Sequence, residues 1–212
     1  GFAFLASSSV QQVMDLTGVA HLSTIKGRVP FVNFFDGFRT SHELQKVEVI
    51  DTDELKKLID EKSLQEFRDR ALNPENPVIR GTSQNEDIYF QATEVRNTYY
   101  DKLPDIVNDY MQEINKITGE NYAPFNYYGS ETATKVIVAM GSVCETIKET
   151  LKFLSKKRND LGLLEVHLYR PFSAKYFLKV LPKSVKKIVV LDRTKEPGAA
   201  GEEEIYASLC RL

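Results

Sequence analysis

Arg39 and His42 are the side chains of this chain best suited to small-molecule chemistry, and one loop carries both, Asp36-Gly-Phe-Arg-Thr-Ser-His-Glu43. An arginine fork grips a carboxylate or phosphate through paired N–H donors. An imidazole exchanges protons near neutrality. Asp36 and Thr40 add a carboxylate and a hydroxyl to the same loop. Thr40-x-x-Glu43 also reads as a capping box, which would make the segment a helix entry. With no third catalytic group nearby, the structural reading is favoured and no catalytic residue is assigned.

A second group of candidates lies far downstream. Gly141 and Ser142 stand where a strand enters a helix, a geometry that leaves backbone N–H groups able to hold an anion. Ser142 with Glu145 also makes an ordinary capping box, which explains the pair without a ligand. Asp192, Arg193 and Lys195 follow one strand, and Arg170 follows another. Strand ends in open α/β sheets are where ligands bind, so these residues are candidates for ligand or inter-domain contact. An ordinary solvated loop is the competing reading. Glu196-Pro-Gly-Ala-Ala-Gly201 lacks the Gly-Lys-[ST] ending of a P-loop, and no Gly-x-Gly-x-x-Gly is present.

The elements that must position these residues are readable from periodicity. Phe2 to Leu5 reads as a strand, Ser9 to Ile25 as a helix closed by a Gly27 cap, and Pro30 to Phe35 as an apolar parallel strand covered on both faces. Residues 51–72 read as two short helices with capping boxes at Asp51 and Ser63. Residues 78–98, including Asp87-Ile-Tyr-Phe-Gln91, read as a partly extended connector. Leu103, Ile106, Val107, Tyr110, Ile114 and Ile117 mark one face of a helix over 101–118. Residues 135–212 alternate β-α-β-α-β-α, which implies three parallel strands with crossover helices. Along the strand Leu163–Tyr169, Glu165, His167 and Tyr169 share a face that reads as partly exposed. His21, inside an apolar helix, reads as a hydrogen-bonded core residue. The fold class is therefore α/β, with parallel-sheet three-layer modules.

Composition removes several function classes. The chain has 212 residues, 42% hydrophobic and 27% charged, the balance of a globular protein. Its 28 basic and 30 acidic residues give a net charge of −2, no footprint for nucleic acid. No apolar run approaches a membrane span, and a cytoplasmic location is expected. Cys144 and Cys210 are the only cysteines, too few for an iron–sulfur cluster, and the three histidines are too scattered for zinc. Phe2-Ala-Phe-Leu5 reads as a strand already under way, so the chain is expected to begin inside a domain.

Several phrases in order resemble the pyruvate:ferredoxin (flavodoxin) oxidoreductases. They are Arg28-Val-Pro-Phe-Val-Asn-Phe-Phe-Asp-Gly-Phe-Arg-Thr-Ser-His-Glu43, Ala71-Leu-Asn-Pro-Glu-Asn-Pro77, Arg80-Gly-Thr-Ser-Gln-Asn85, Val136-Ile-Val-Ala-Met-Gly-Ser142, Leu168-Tyr-Arg-Pro-Phe-Ser173 and Val190-Leu-Asp-Arg-Thr-Lys-Glu-Pro-Gly198. The resemblance implies that 1–98 is the latter part of a thiamine-pyrimidine-binding domain plus connector. It implies that 99–212 is a domain resembling the transketolase C-terminal domain. It further implies an enzyme of anaerobic metabolism, also called pyruvate synthase, that decarboxylates pyruvate oxidatively with coenzyme A to acetyl-CoA and carbon dioxide. Electrons would pass to ferredoxin or flavodoxin. Thiamine diphosphate with Mg2+ and [4Fe-4S] clusters would serve the full-length homodimer, with none expected to bind this segment alone. Its partners would be the remaining domains of the same polypeptide and the second subunit, and its own role structural and inter-domain. A non-catalytic assembly or binding module kept as a separate subunit is the alternative.

Overall fold

The computed structural model describes residues 1–79, 83–194, 197 and 204–210. The first sheet is built from β1 (Ala3–Ala6) and β2 (Phe31–Phe34), paired in parallel across α1 (Val10–Gly27). Ser9 caps α1, its hydroxyl accepting the Gln12 N–H. Helix α1 runs through Gly27, and Arg28, not the glycine, takes the left-handed cap at φ 60°. Gly27 is needed for a different reason: a Cβ there would sit 2.4 Å from the Leu103 side chain. His21 is exposed, contrary to the core role expected from its apolar neighbours.

After β2 come a single turn of helix, α2 (Arg39–His42), and an irregular run to residue 51. Two short helices follow, α3 (Thr52–Lys57) and α4 (Glu61–Asp69). Asp51 caps the first, but Asp60 caps the second, so that helix starts earlier than Ser63 implied. The connector expected to be partly extended is helical, as α5 (Glu86–Val95) and α6 (Asn97–Tyr100). Glu86 and Asp87 in the first turn of α5 favour that outcome over the strand propensity of Ile88-Tyr-Phe90. Helix α7 (Leu103–Thr118) then lays Val107, Tyr110, Met111 and Ile114 on Leu16, Val19 and Leu22 of α1. The sequence join near 98 thus precedes a helix packed on the first sheet's own helix.

The second sheet has the order β3-β5-β4-β7, from β3 (Phe125–Gly129), β4 (Lys135–Ala139), β5 (Leu161–Val166) and β7 (Lys187–Leu191). Three strands are parallel, as expected, but β3 adds an antiparallel edge that the aromatic run Tyr122–Tyr128 did not announce. Helix α8 (Val143–Leu154) covers the face carrying Ile137, Ala139 and Leu163. Helices α9 (Ala174–Val180) and α10 (Glu204–Leu209) cover the face carrying Val136, Val138, Leu164 and Val166. Period-two alternation therefore gives this part three layers.

One strand stitches the two sheets together. Past β5 the chain turns at His167 into β6 (Leu168–Arg170), which pairs antiparallel with β1. The Ala6 N–H donates to His167 O at 2.8 Å across the seam. Phe4 and Phe34 of the first sheet pack beside Tyr169 into the second core.

Candidate functional site

The carboxyl ends of β1, β2, β4 and β7 converge on one cleft of about 1010 Å³ between the two sheets. Each strand contributes the residues just past its end. They include Ser8 and Ser9 after β1, Asp36 after β2, Gly141 and Ser142 after β4, and Asp192 and Arg193 after β7. Within the second sheet the order reverses at β4, because the chain goes from β4 to β5 on one side and returns to β7 on the other. The crevice beyond β4 and β7 is thus a topological switch point, the usual ligand position in such sheets.

Asp36 of the first sheet fills that crevice. Its Oδ2 accepts the Ser142 N–H at the start of α8, and its Oδ1 accepts from Arg193 Nη1. The carboxylate occupies the place where a helix N-terminus would receive an anion. Burial works against ionisation there, but the Ser142 bond and Arg193 outweigh it and hold the carboxyl below its ordinary range. Gly141 is dictated by the same contact: φ is 77°, and a Cβ would lie 2.5 Å from Asp36 Oδ2. The Ser142 side chain makes no cap, so the capping box expected with Glu145 does not form. Glu145 instead pairs with Lys148 at 2.8 Å.

The remaining candidates divide. Arg39 is exposed and lines the cleft near Glu43 and Gln45. The Thr40–Glu43 capping box is absent: Thr40 is buried, and its hydroxyl has no hydrogen-bond partner among the described residues. Ser41 Oγ accepts the Phe38 N–H at 2.9 Å instead and lies 2.8 Å from His42 Nδ1. His42 stacks on Phe38, which holds a φ of 63° while 82% exposed. A bulky residue in that region is strained. Asp192 Oδ2 accepts from the Ile205 and Tyr206 N–H groups at 3.1 and 3.2 Å and so anchors α10. Arg170 lies off the cleft, 5.7 Å from the ring centres of both Phe4 and Tyr169. Lys195 and the glycines 198 and 201 lie outside the described residues.

A second polar cluster, expected on a partly exposed strand face, is buried behind the cleft. Glu165 and His167 are each 1% exposed. Lys148 Nζ stands 2.9 Å from Glu165 Oε2 and 4.4 Å from the centre of the Tyr128 ring. Burial would raise the Glu165 carboxyl, but the facing His167 and Lys148 and the Ser8 hydroxyl bring it down to about 2. Burial also raises the neighbouring Cys144 thiol, which makes it a poor nucleophile. A lone glutamate inside Leu163-Leu-Glu-Val166 was the available signal for this cluster, because a charge within a parallel strand needs a buried partner.

Residues 1–112 match the family model described as pyruvate flavodoxin/ferredoxin oxidoreductase, thiamine diphosphate-binding. Residues 133–211 match pyruvate:ferredoxin oxidoreductase core domain II. Over 202 residues the chain is 58% identical to the pyruvate-flavodoxin oxidoreductase of Enterobacter agglomerans and 58% to the pyruvate:ferredoxin oxidoreductase of Moorella thermoacetica. Each alignment takes in 95% of this chain and 17% of the relative, so the chain spans about a sixth of their length. A 2-oxoglutarate:ferredoxin oxidoreductase from Magnetococcus marinus, solved with 2-oxoglutarate, coenzyme A and succinyl-CoA bound, shares the fold. Its TM-score is 0.58 at 12% identity, over 89% of this chain and 34% of that one. Among the described residues no helix is long and apolar enough to cross a membrane.

Proposed function

Because the chain belongs to the pyruvate:ferredoxin/flavodoxin oxidoreductase family, we propose that it serves as a framework segment of such an enzyme, joining two α/β units and presenting their shared cleft to the rest of the assembly. The whole enzyme would decarboxylate pyruvate oxidatively with coenzyme A and pass electrons to ferredoxin or flavodoxin. Residues 1–98 would complete part of the thiamine-binding domain, and 99–212 would form the module resembling the transketolase C-terminal domain. The remaining domains of the same polypeptide and a second subunit would be its partners.

The Asp36 contact carries this reading. The switch-point crevice of the second sheet holds a side chain of the first, so it serves docking before it serves any ligand. Thiamine diphosphate supplies a carbanion-stabilising ylid when bound, and its diphosphate needs a metal held by clustered oxygen ligands. The residues present do not fit that end of the cofactor. Among the described residues no group of three or more His, Cys, Asp or Glu could hold a metal ion, and Asp36 and Asp192 are both engaged. The metal, like the [4Fe-4S] clusters, would be held by other domains.

The test is pyruvate- and coenzyme A-dependent dye reduction by the native polypeptide and by this chain alone. Activity confined to a polypeptide carrying further domains supports the framework role. Turnover by the 212-residue chain alone would refute it.

A further inference from the structure

Glu165 belongs to the second sheet by its backbone, pairing with Asn126 on β3 and Ala139 on β4. Its side chain serves the first. Oε1 accepts from the Ser8 hydroxyl and lies 3.4 Å from Gln12 Nε2. Gln12 Oε1 in turn accepts the Ser8 N–H at 2.7 Å. Ser8, Gln12 and Glu165 therefore close a ring across the seam, and all three are buried. The rest of the turn is held as tightly. Ser7 N–H donates to Phe34 O at 2.9 Å, and its hydroxyl to Asn33 Oδ1 at 2.8 Å. His167 Nδ1 stands 3.0 Å from Ala6 O.

This turn links β1 to α1, and Ser8 and Ser9 form one wall of the cleft. We infer that Glu165 is a positioning residue, through which the second unit sets the conformation of the β1–α1 turn that walls the cleft. Stability alone is a weak reason to keep a buried carboxylate–ammonium pair, because apolar side chains of similar volume do as well or better. A buried acceptor with defined geometry fixes a turn in a way that apolar packing does not. Lys148 fits this role as the counter-charge that lets the acceptor stay ionised, and it pairs with Glu145 on the cleft wall. The inference rests on the reading of the cleft as the working face of the segment.

The test uses the full native polypeptide with Glu165→Gln, Lys148→Met and the pair together. In Glu165→Gln an amide N–H confronts the Lys148 ammonium, so the turn should loosen. Amide exchange of residues 7–12 should then quicken about tenfold or more while β3 and β4 keep their protection. Adding Lys148→Met removes the opposing charge and leaves the amide oxygen to accept from Ser8, so protection of the turn should return. Unchanged exchange at 7–12 in Glu165→Gln, or an equal rise across both sheets, would overturn the inference. A loosened turn with undiminished pyruvate-dependent dye reduction would keep Glu165 as the positioning residue and move the working site away from this cleft.

Discussion

Two carboxylates cross the same seam, and their surroundings set what each is worth. Glu165 sits in the interior, its Oε1 claimed by Ser8 and Gln12 and its Oε2 facing the Lys148 ammonium. Asp36 sits at the rim, its side chain 15% exposed and its partner Arg193 71% exposed. Both fix one sheet to the other. In low dielectric, loss of one partner leaves an uncompensated charge that cannot reach water. At the rim, water and salt replace most of what is lost. The buried pair should therefore be intolerant of losing one partner, and the rim pair weak and adjustable.

Glu165→Ala breaks the buried side of that contrast and should have the largest effect. It leaves Lys148 with Glu145 alone and strips the buried Ser8 hydroxyl of its acceptor, so urea unfolding should show a loss of about 3 kcal/mol. Adding Lys148→Met should recover much of it, and a double-mutant cycle measures the coupling. Gly141→Ala comes next. It places a Cβ against Asp36 at a left-handed φ, for a cost of about 1–3 kcal/mol in the same assay. Asp36→Asn keeps the shape but weakens the charge-assisted bonds, and about 1 kcal/mol is expected. Arg193→Ala should cost no more than about 0.5 kcal/mol, vanishing in high salt. Equal losses for Arg193→Ala and Glu165→Ala would erase the distinction between rim and interior.

Acid sharpens the comparison by titrating both groups. Each folded-state pKa lies below its unfolded value, so each carboxylate contributes stability that is present above that value and lost as pH falls through the folded one. For Glu165 the window runs from 4.5 down to about 2. For Asp36 the loss begins below 3.8. Stability measured from pH 6 to pH 2 should fall along this course, and Glu165→Gln should flatten it more than Asp36→Asn does.

Strands β1 and β2 and helix α7 were legible from their apolar runs, with Val107, Tyr110 and Ile114 facing the core as their spacing requires. The first sheet's third strand was not, because the strand expected over Leu163–Tyr169 breaks at His167 and its end joins the other sheet. The cleft was legible in part. Strand ends of the second sheet placed Gly141, Ser142, Asp192 and Arg193 near one another, since a parallel sheet gathers its carboxyl ends on one side. The same reasoning put Arg170 there, which lies off the cleft, and left Asp36 in a separate loop. The Asp36–Ser142 bond was not legible, because residues 106 positions apart in the chain meet there. Glu165 and His167 were misread for the same reason. Alternation tells which residues share a strand face, and here the polar face is covered by another sheet's turn. His21 failed in the opposite sense, because a helix rich in apolar residues still leaves a stripe, with Met14 at 40%, toward solvent. The strand β3 was missed because it ends in glycine and pairs antiparallel, outside the β-α alternation that follows it.

Strand β6 and the two carboxylates should make the sheets one cooperative body. Native-state hydrogen exchange with rising denaturant tests it directly, by comparing the opening free energies of amides in β1 and β5. Convergence of the two on a single value is the expected result. An opening of β1 that stays well below that of β5 at every denaturant concentration would show instead two units that merely touch.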